Sequence, residues 1–321
     1  MVDSPGRMSL WGIEVFIATA DEGSVTAAAR RFGASPSSIS QQLSNLEAAL
    51  GARLLDRSAR PVTLTPAGAL FRRRAQAILN EAEQARAELA LEDLSRLTRF
   101  RLGMIEDFDA DVTPALLGAL ARDFPATQFL LETGASHRLH DQLDARALDV
   151  IVAADMDTES EWMEVHPLME EPFVAAVPKG LLAPGDDVLA RLSALPLIQY
   201  TARHHMGRQI AAHLARQNLR LAHRFELDSY HAIMAMVAAG EGWTILTPLG
   251  FLRAHRFREQ AEMVALPFAP LSRRISLSAR REVLGAMPAD MAARLRPLLL
   301  REIVTPCIGH FPWLEGKLRL L

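Results

Sequence analysis

Residues 24–68 constrain the fold of this chain more than any other stretch. They open Ser-Val-Thr-Ala-Ala-Ala-Arg-Arg-Phe, turn at Gly33 and Ala34, and resume at Ser35-Pro36 in a run that ends at Gly51. Ser35 suits an N-cap, and Pro36 suits the first helical position, where its missing N–H costs nothing. Two short helices about a glycine-bearing turn make a helix-turn-helix pattern, whose second helix fits a DNA major groove. Just upstream, Ile13, Phe16, Ile17 and Ala20 recur at helical spacing, which predicts a backing helix over residues 10–20. Val25, Ala28, Phe32, Ile39, Leu43 and Leu46 complete a three-helix core. Beyond Gly51, Leu54-Leu55 and Val62-Thr63-Leu64 read as two short strands, and the tip between them carries Arg57 and Arg60. That hairpin is a basic wing beside the second helix.

The chain has 321 residues and a net charge of -3, which does not advertise a nucleic-acid binder. Distribution matters more than the sum. Arg30, Arg31, Arg53, Arg57, Arg60, Arg72, Arg73 and Arg74 face only Glu47 and Asp56 over residues 30–74. Such a local excess is what phosphate contact requires, whereas a merely solvated basic face would not need the helix pattern beside it. The second helix also offers short polar side chains, Ser35, Ser37, Ser38, Ser40, Gln41, Gln42 and Asn45. Glutamine can bond adenine bidentately, and serine reaches phosphate or either base type. Duplex DNA is therefore the expected partner.

A length of 321 residues exceeds one ordinary core and implies two or three domains. The single cysteine, Cys307, excludes an internal disulfide and suits the cytoplasm. No apolar run reaches membrane-spanning length, and the first residues lack an apolar signal core. No nucleophile–base pairing, glycine-rich phosphate loop or metal spacing stands out, so no enzyme, cofactor or metal is expected; a bilobal α/β enzyme, or a ligand sensor whose helical N-terminus binds protein, is the alternative. His204 and His205 are adjacent, and neighbouring side chains rarely point at one ion.

Thr65 and Pro66 open a long helix over residues 66–96. Phe71, Ala75, Ile78, Ala82, Ala85 and Leu89 alternate by four and three along it, a heptad seam with charged flanks. The seam predicts a partner helix; packing on its own domain is the plainer alternative. From residue 99 strands and helices alternate, which implies a mainly parallel sheet. One set has strands over 100–104, 128–132 and 149–153 with helices over 113–123 and 136–146. A second has strands over 173–177, 197–200, 225–227 and 243–246 with helices over 206–217 and 229–239. A strand over 275–278 and a helix over 289–300 return to the first set.

The ordered string Gly-Ser-Val-Thr-Ala-Ala-Ala, Ser-Pro-Ser-Ser-Ile-Ser-Gln-Gln-Leu, Leu-Glu-Ala-Ala-Leu-Gly-Ala-Arg-Leu-Leu-Asp-Arg and Leu-Thr-Pro-Ala-Gly resembles the LysR-type transcriptional regulators. Later segments, Ala-Arg-Asp-Phe-Pro, Leu-Asp-Val-Ile-Val and Met-Val-Ala-Ala-Gly-Glu-Gly-Trp-Thr-Ile-Leu-Thr-Pro, extend the resemblance over nearly the whole chain. It implies a winged helix-turn-helix domain over residues 8–65, a linker helix over 66–96 that makes a homodimer, and an effector-binding domain over 97–304. That domain would be built like a periplasmic binding protein, with one α/β subdomain from 97–168 and 268–304 and another from 169–267. Crossover strands near residues 165–172 and 266–271 would join them, and 305–321 would be an extension.

The resemblance further implies a homotetramer on an inverted-repeat site, contact with RNA polymerase, and a small-molecule effector in the cleft. By position in the motif, Ser35, Pro36, Ser37, Ser40 and Gln41 would face DNA, flanked by Ser38 and Gln42, with Arg57 and Arg60 from the wing. Many relatives carry arginine where Gln41 stands, so adenine is favoured over guanine here.

For the cleft, the loop Glu106-Asp107-Phe108-Asp109-Ala110-Asp111 invites an amine or guanidinium, although carboxylates also simply favour a helix N-terminus. Thr113 is expected to cap the helix that follows. Opposite, Tyr200 ends a strand and Arg203 lies in the loop after it, where it suggests a carboxylate clamp and thus an amphoteric ligand. Thr133, Ser136 and Thr247 are further wall candidates. The tail carries His310-Phe311-Pro312-Trp313 and is too apolar to stay solvated; it would pack on the effector domain or on another subunit.

Overall fold

The computed structural model describes residues 8–89, 98–156 and 160–321, with side chains of the long helix described as far as Ala82. The chain divides into two compact units, an N-terminal one that includes the long helix and a C-terminal one.

In the first unit α1 (Leu10–Glu22), α2 (Val25–Phe32) and α3 (Pro36–Leu50) follow one another. Ser9, Ser24 and Ser35 cap them, each side-chain oxygen accepting a backbone N–H two or three residues into its helix. Gly23, Gly33 and Gly51 end them in the left-handed conformation that a Cβ disfavours. A two-strand wing, β1 (Leu55–Asp56) and β2 (Thr63–Leu64), then leads into α4 (Pro66–Leu89). The expected core residues Ile13, Phe16, Ala28, Ile39, Leu43 and Leu46 are all buried together.

The motif Leu-Thr-Pro-Ala-Gly has a physical reason. Thr65 donates its hydroxyl to the Arg53 carbonyl and accepts the Gly68 N–H, and its own N–H bonds the Leu54 carbonyl. A Cβ at Gly68 would land on that same Leu54 carbonyl. Only glycine lets α4 leave the wing so closely.

The first half of the heptad seam also packs within its own chain. Ala75 is buried in the core of the first unit, and Phe71 and Ile78 pack against that core, with the Phe71 ring 5.4 Å from Phe16. These three residues fasten α4 to its own domain because α1 presents a matching apolar face. Ala82 is half-buried. The side chains of Ala85 and Leu89 lie outside the described residues.

The second unit opens with β3 (Arg99–Ile105), α5 (Thr113–Asp123), β4 (Gln128–Gly134), α6 (Ser136–Asp144) and β5 (Val150–Ala154). Next come β6 (Met163–Pro172), β7 (Val174–Pro178), α7 (Val188–Ser193), β8 (Leu197–Tyr200), α8 (His205–Arg216) and β9 (His223–Leu227). Then α9 (Tyr230–Ala238), β10 (Thr244–Leu246), α10 (Pro248–Arg253), β11 (Ala261–Ala265) and β12 (Ser272–Arg280) follow, and α11 (Met287–Leu299), α12 (Thr305–His310) and β13 (Arg319–Leu320) complete it.

One lobe is a six-stranded sheet in the order β13-β6-β12-β5-β3-β4, and the other holds a β10-β7-β11 sheet and a β8-β9 pair. The sheets are mixed, not mainly parallel. Strand β3 runs parallel to β4 and β5, but β12 runs antiparallel to β5 and β6, and β7 antiparallel to both its neighbours. Strands returning from the second lobe enter the first sheet in reverse, which a reading of β–α alternation alone misses.

Residues 165–172 are part of a full strand of the first sheet. The crossing itself is narrow: Pro172 pairs with Ser272, and the Phe173 N–H bonds the Leu271 carbonyl at 2.7 Å. At Thr113 the cap expectation fails. Val112 occupies the cap position without a side-chain bond, and the Thr113 hydroxyl turns inward to the Phe108 carbonyl at 3.0 Å.

The tail joins this unit. Cys307, Leu314 and Leu318 are buried in its core, and β13 adds an outer strand to β6. Its apolar residues thus have intramolecular partners.

The revised role of the seam is testable. Ile78→Asp puts a charge against the core of the first unit and should lower its stability by about 2–3 kcal/mol. A melting temperature for that unit identical to wild type would return Ile78 to a purely intermolecular role.

Candidate DNA-reading face and effector cleft

Helix α3 buries Ile39, Leu43 and Leu46 and exposes Ser35, Pro36, Ser37, Ser38 and Gln41, while Ser40 and Gln42 are half-buried at the edge of the exposed face. Several of these polar groups are held in place. Ser35 shares a hydroxyl contact with Ser37 at 2.9 Å, and the Gln41 amide donates to Asn45 at 2.9 Å. The Gln41–Asn45 pair at helical i,i+4 spacing fixes both amides on one face.

In the wing, Arg57 and Arg60 differ. Arg57 donates to Glu47 at 2.6 Å, and the other Glu47 oxygen accepts the Leu54 and Leu55 N–H groups. Glu47 therefore anchors the wing to α3 and takes up much of the Arg57 charge. Arg60 is exposed and bonds only the backbone carbonyls of Arg57 and Ala59. Among the described residues Arg30, Arg53, Arg60, Arg73 and Arg74 make no ion pair, so their charge is available to phosphates.

In the second unit a narrow cleft with a cavity of about 60 Å³ lies between the lobes. Of the expected residues, Glu106, Asp107, Ser136 and Tyr200 line it. Thr133 and Arg203 do not: Thr133 is exposed on β4, and Arg203 turns its Nε to Thr201 at 3.4 Å. Thr247 is buried and spends its oxygen as the cap of α10, accepting the Gly250 N–H. These are the ordinary strand-end and cap roles of threonine.

The acidic loop is less anionic than its sequence. Arg253 clasps Asp109 with both nitrogens at 2.8 and 2.9 Å. Arg273, on β12, donates to Asp107 at 2.9 Å and through Nε to Glu171 of β6 at 2.6 Å. Both arginines lie more than 140 residues from the loop, so inspection of its local sequence could not find them. The Arg273-Arg274 pair at the start of a strand was the one available signal.

The Asp107–Arg273–Glu171 group is deeply buried, its side chains at most 6% exposed. Burial opposes the Arg273 charge, yet Glu171 and Asp107 outweigh that and hold it well above its ordinary value. One cation cannot compensate two carboxylates, and burial pushes Glu171 up to about 7 despite Arg273. The aromatic rings of Tyr230, Tyr200, His204 and His137 follow one another at 5.4, 5.6 and 5.1 Å along the cleft. Burial holds His137 and His204 below the ordinary imidazole value, helped by nearby cationic groups and opposed at His204 by Asp228. No group of three or more metal-ligating side chains occurs among the described residues.

These two surfaces together define a ligand-responsive DNA-binding protein. A family model described as LysR substrate binding domain matches residues 67–296, and one described as bacterial regulatory helix-turn-helix protein, lysR family, matches residues 10–69. The chain belongs to the LysR family of DNA-binding transcriptional regulators, and it is a regulator rather than an enzyme.

A probable hydrogen peroxide-inducible genes activator of Mycobacterium xenopi is 33% identical over 180 residues, 56% of this chain and 95% of that protein. The DNA-binding transcriptional dual regulator OxyR of Escherichia coli strain K12 is 26% identical over 75% of this chain and 80% of its own length. Among solved structures, full-length OxyR from Pseudomonas aeruginosa superimposes with a TM-score of 0.65 at 24% identity, covering 92% of this chain and 95% of that one. Full-length CbnR complexed with its target DNA gives 0.61 at 22%, covering 90% and 100%. At these identities the likeness establishes the fold alone.

The raised Glu171 makes a signed prediction. Its folded value lies above that of a free carboxyl, so the folded state holds the proton more tightly and stability falls as pH rises from 5 to 8. Relative to Glu171→Gln, the wild-type second unit should lose up to about 3 kcal/mol over that range in denaturant unfolding. A pH-independent difference would mean that Glu171 stays ionised against Arg273 throughout.

Proposed function

We propose that the chain acts as a homodimer, assembled further into a tetramer, that reads an inverted repeat in duplex DNA through α3 and the wing. Its output is set by a small-molecule effector held in the cleft of the second unit. The observation that carries the DNA side is the exposed polar face of α3 beside arginines that make no ion pair. Ser35, Pro36, Ser37, Ser38, Ser40, Gln41 and Gln42 form the reading surface, and Arg60 supplies the phosphate contact from the wing. Arg57 acts mainly by holding the wing in register through Glu47.

Dimerisation falls to the part of α4 not spent on its own core. Leu70 is 63% exposed there, and Ala82, Ala85 and Leu89 continue the heptad spacing. RNA polymerase is a further partner that family membership suggests. Work on DNA in the cytoplasm accords with the described helices, none of which is long and apolar enough to cross a membrane.

Several relatives bear names that tie them to hydrogen peroxide. A thiol response to peroxide needs an accessible thiolate, and reversal through an internal disulfide needs two cysteines. This chain has one. Cys307 is fully buried in α12, and burial, with Glu171 adding to it, pushes its thiol up to about 12. The effector of this chain is therefore read by binding in the cleft and not by oxidation of a thiol.

Two measurements test these readings. In gel shifts against the DNA upstream of its own reading frame, Gln41→Ala with Arg60→Ala should lose at least about tenfold in affinity. Equal binding would remove the reading surface from α3. Brief exposure of the wild type to hydrogen peroxide should leave its DNA affinity unchanged; a change abolished by Cys307→Ala would restore thiol sensing.

A further inference from the structure

We propose that the cleft takes a small organic cation, anchored on the Asp107 carboxylate and walled by the Tyr200 and Tyr230 rings. This rests on the reading of the cleft as the effector site and adds the chemical class of its ligand.

Asp107 is the centre of the argument. Its side chain is only 4% exposed, and it lines the cleft. One oxygen accepts from Arg273, while Oδ1 is buried and accepts no hydrogen bond. A buried carboxylate oxygen without a donor is costly, and it is unusual in a folded protein. A ligand N–H⁺ in the cleft supplies that donor. Two further cleft atoms are buried without partners, Gln209 Oε1 and His137 Nδ1, and the first can only accept. Asp107 Oδ1 and Gln209 Oε1 each need a donor, which a ligand ammonium supplies and a ligand carboxylate does not.

Charge points the same way. Glu106, Asp107 and Asp228 line the cleft against the single cation Arg273, which is already shared between two carboxylates. Arg253 is spent on Asp109, and Arg208 bonds the carbonyls of Arg203 and Ala202. The rings of Tyr200 and Tyr230, 5.4 Å apart and tilted by 42°, both line the cleft, and an aromatic wall of this kind suits a cation better than an anion. Ile105 and Met206 add apolar surface, which suits an amine carrying a hydrocarbon body.

The anchor also touches the hinge. Asp107 sits in the loop after β3, and its partners Arg273 and Glu171 stand on β12 and β6 of the same sheet, at the ends beside the crossing between lobes. A cation on Oδ1 competes with Arg273 for the Asp107 charge and so alters the ion group that holds the crossover strands together.

The test uses full-length protein and three ligands of matched shape: phenethylamine, phenethyl alcohol and 3-phenylpropionate. By thermal shift and calorimetry, phenethylamine should stabilise the protein, and the alcohol and acid should do so at least tenfold more weakly. Asp107→Asn should weaken phenethylamine at least tenfold, with folding checked by circular dichroism. The exposed Glu106→Gln, which leaves the buried ion group intact, should weaken it a few-fold and keeps the test alive if Asp107→Asn is unstable.

Equal binding of amine and alcohol, or undiminished amine binding to folded Asp107→Asn, overturns the proposal. So does a failure of phenethylamine, choline and agmatine alike to bind. Binding of the acid alone, lost when Ala135→Trp fills the cleft, overturns the cationic class yet keeps the cleft as the effector site. Binding of the acid that survives Ala135→Trp removes the cleft reading as well.

Discussion

The second unit depends on one buried guanidinium. Arg273 holds Asp107 from the first lobe and Glu171 from the first crossover strand in a space almost free of water. A buried ion group of this kind adds little net stability, because desolvation consumes most of the Coulombic gain. What it supplies is position. With Arg273 in place, the loop after β3, the end of β6 and the start of β12 have one mutual arrangement, and the cleft inherits its shape from it.

The same group leaves the cleft unsatisfied. Two carboxylates share one cation, one Asp107 oxygen has no donor, and burial drives Glu171 to about 7. An apolar core would have removed these costs, so their retention is informative about use. The unpartnered Asp107 oxygen leaves the local arrangement short of a hydrogen-bond donor near the tyrosine rings. In the first unit the opposite choice is made: Glu47 is fully employed, on Arg57 and on two wing amides, and the wing is correspondingly fixed.

The N-terminal unit was largely legible in the sequence because its instructions are local. Ser9, Ser24, Ser35 and the glycines after each helix act within four residues of where they stand. Periodicity likewise identified Ile13, Phe16, Ile39 and Leu43 as core. Order along the chain located most strands of the second unit, but not their directions, since β12 returns antiparallel from the other lobe. Part of the heptad seam has a partner within the chain: Phe71, Ala75 and Ile78 have the spacing of an interhelical contact, and they pack against the core that α1 helps to form. Least legible was the cleft. Its electrostatics turn on Arg253 and Arg273, which reach the acidic loop from a remote helix and strand, while Arg203 and Thr247 are engaged in local bonds that sequence could not rank.

The claim that the Arg273 group makes cleft and crossover one unit is tested most directly by amide hydrogen exchange on full-length protein without ligand. Asp107→Asn changes a side chain in the first lobe alone. Protection of the amides at Phe173 and Arg273, on the crossing strands, should fall, while β4 at the far sheet edge keeps its wild-type rates. Changes confined to the loop that carries Asp107 would contradict the account, because the buried charge would then hold only its own neighbourhood.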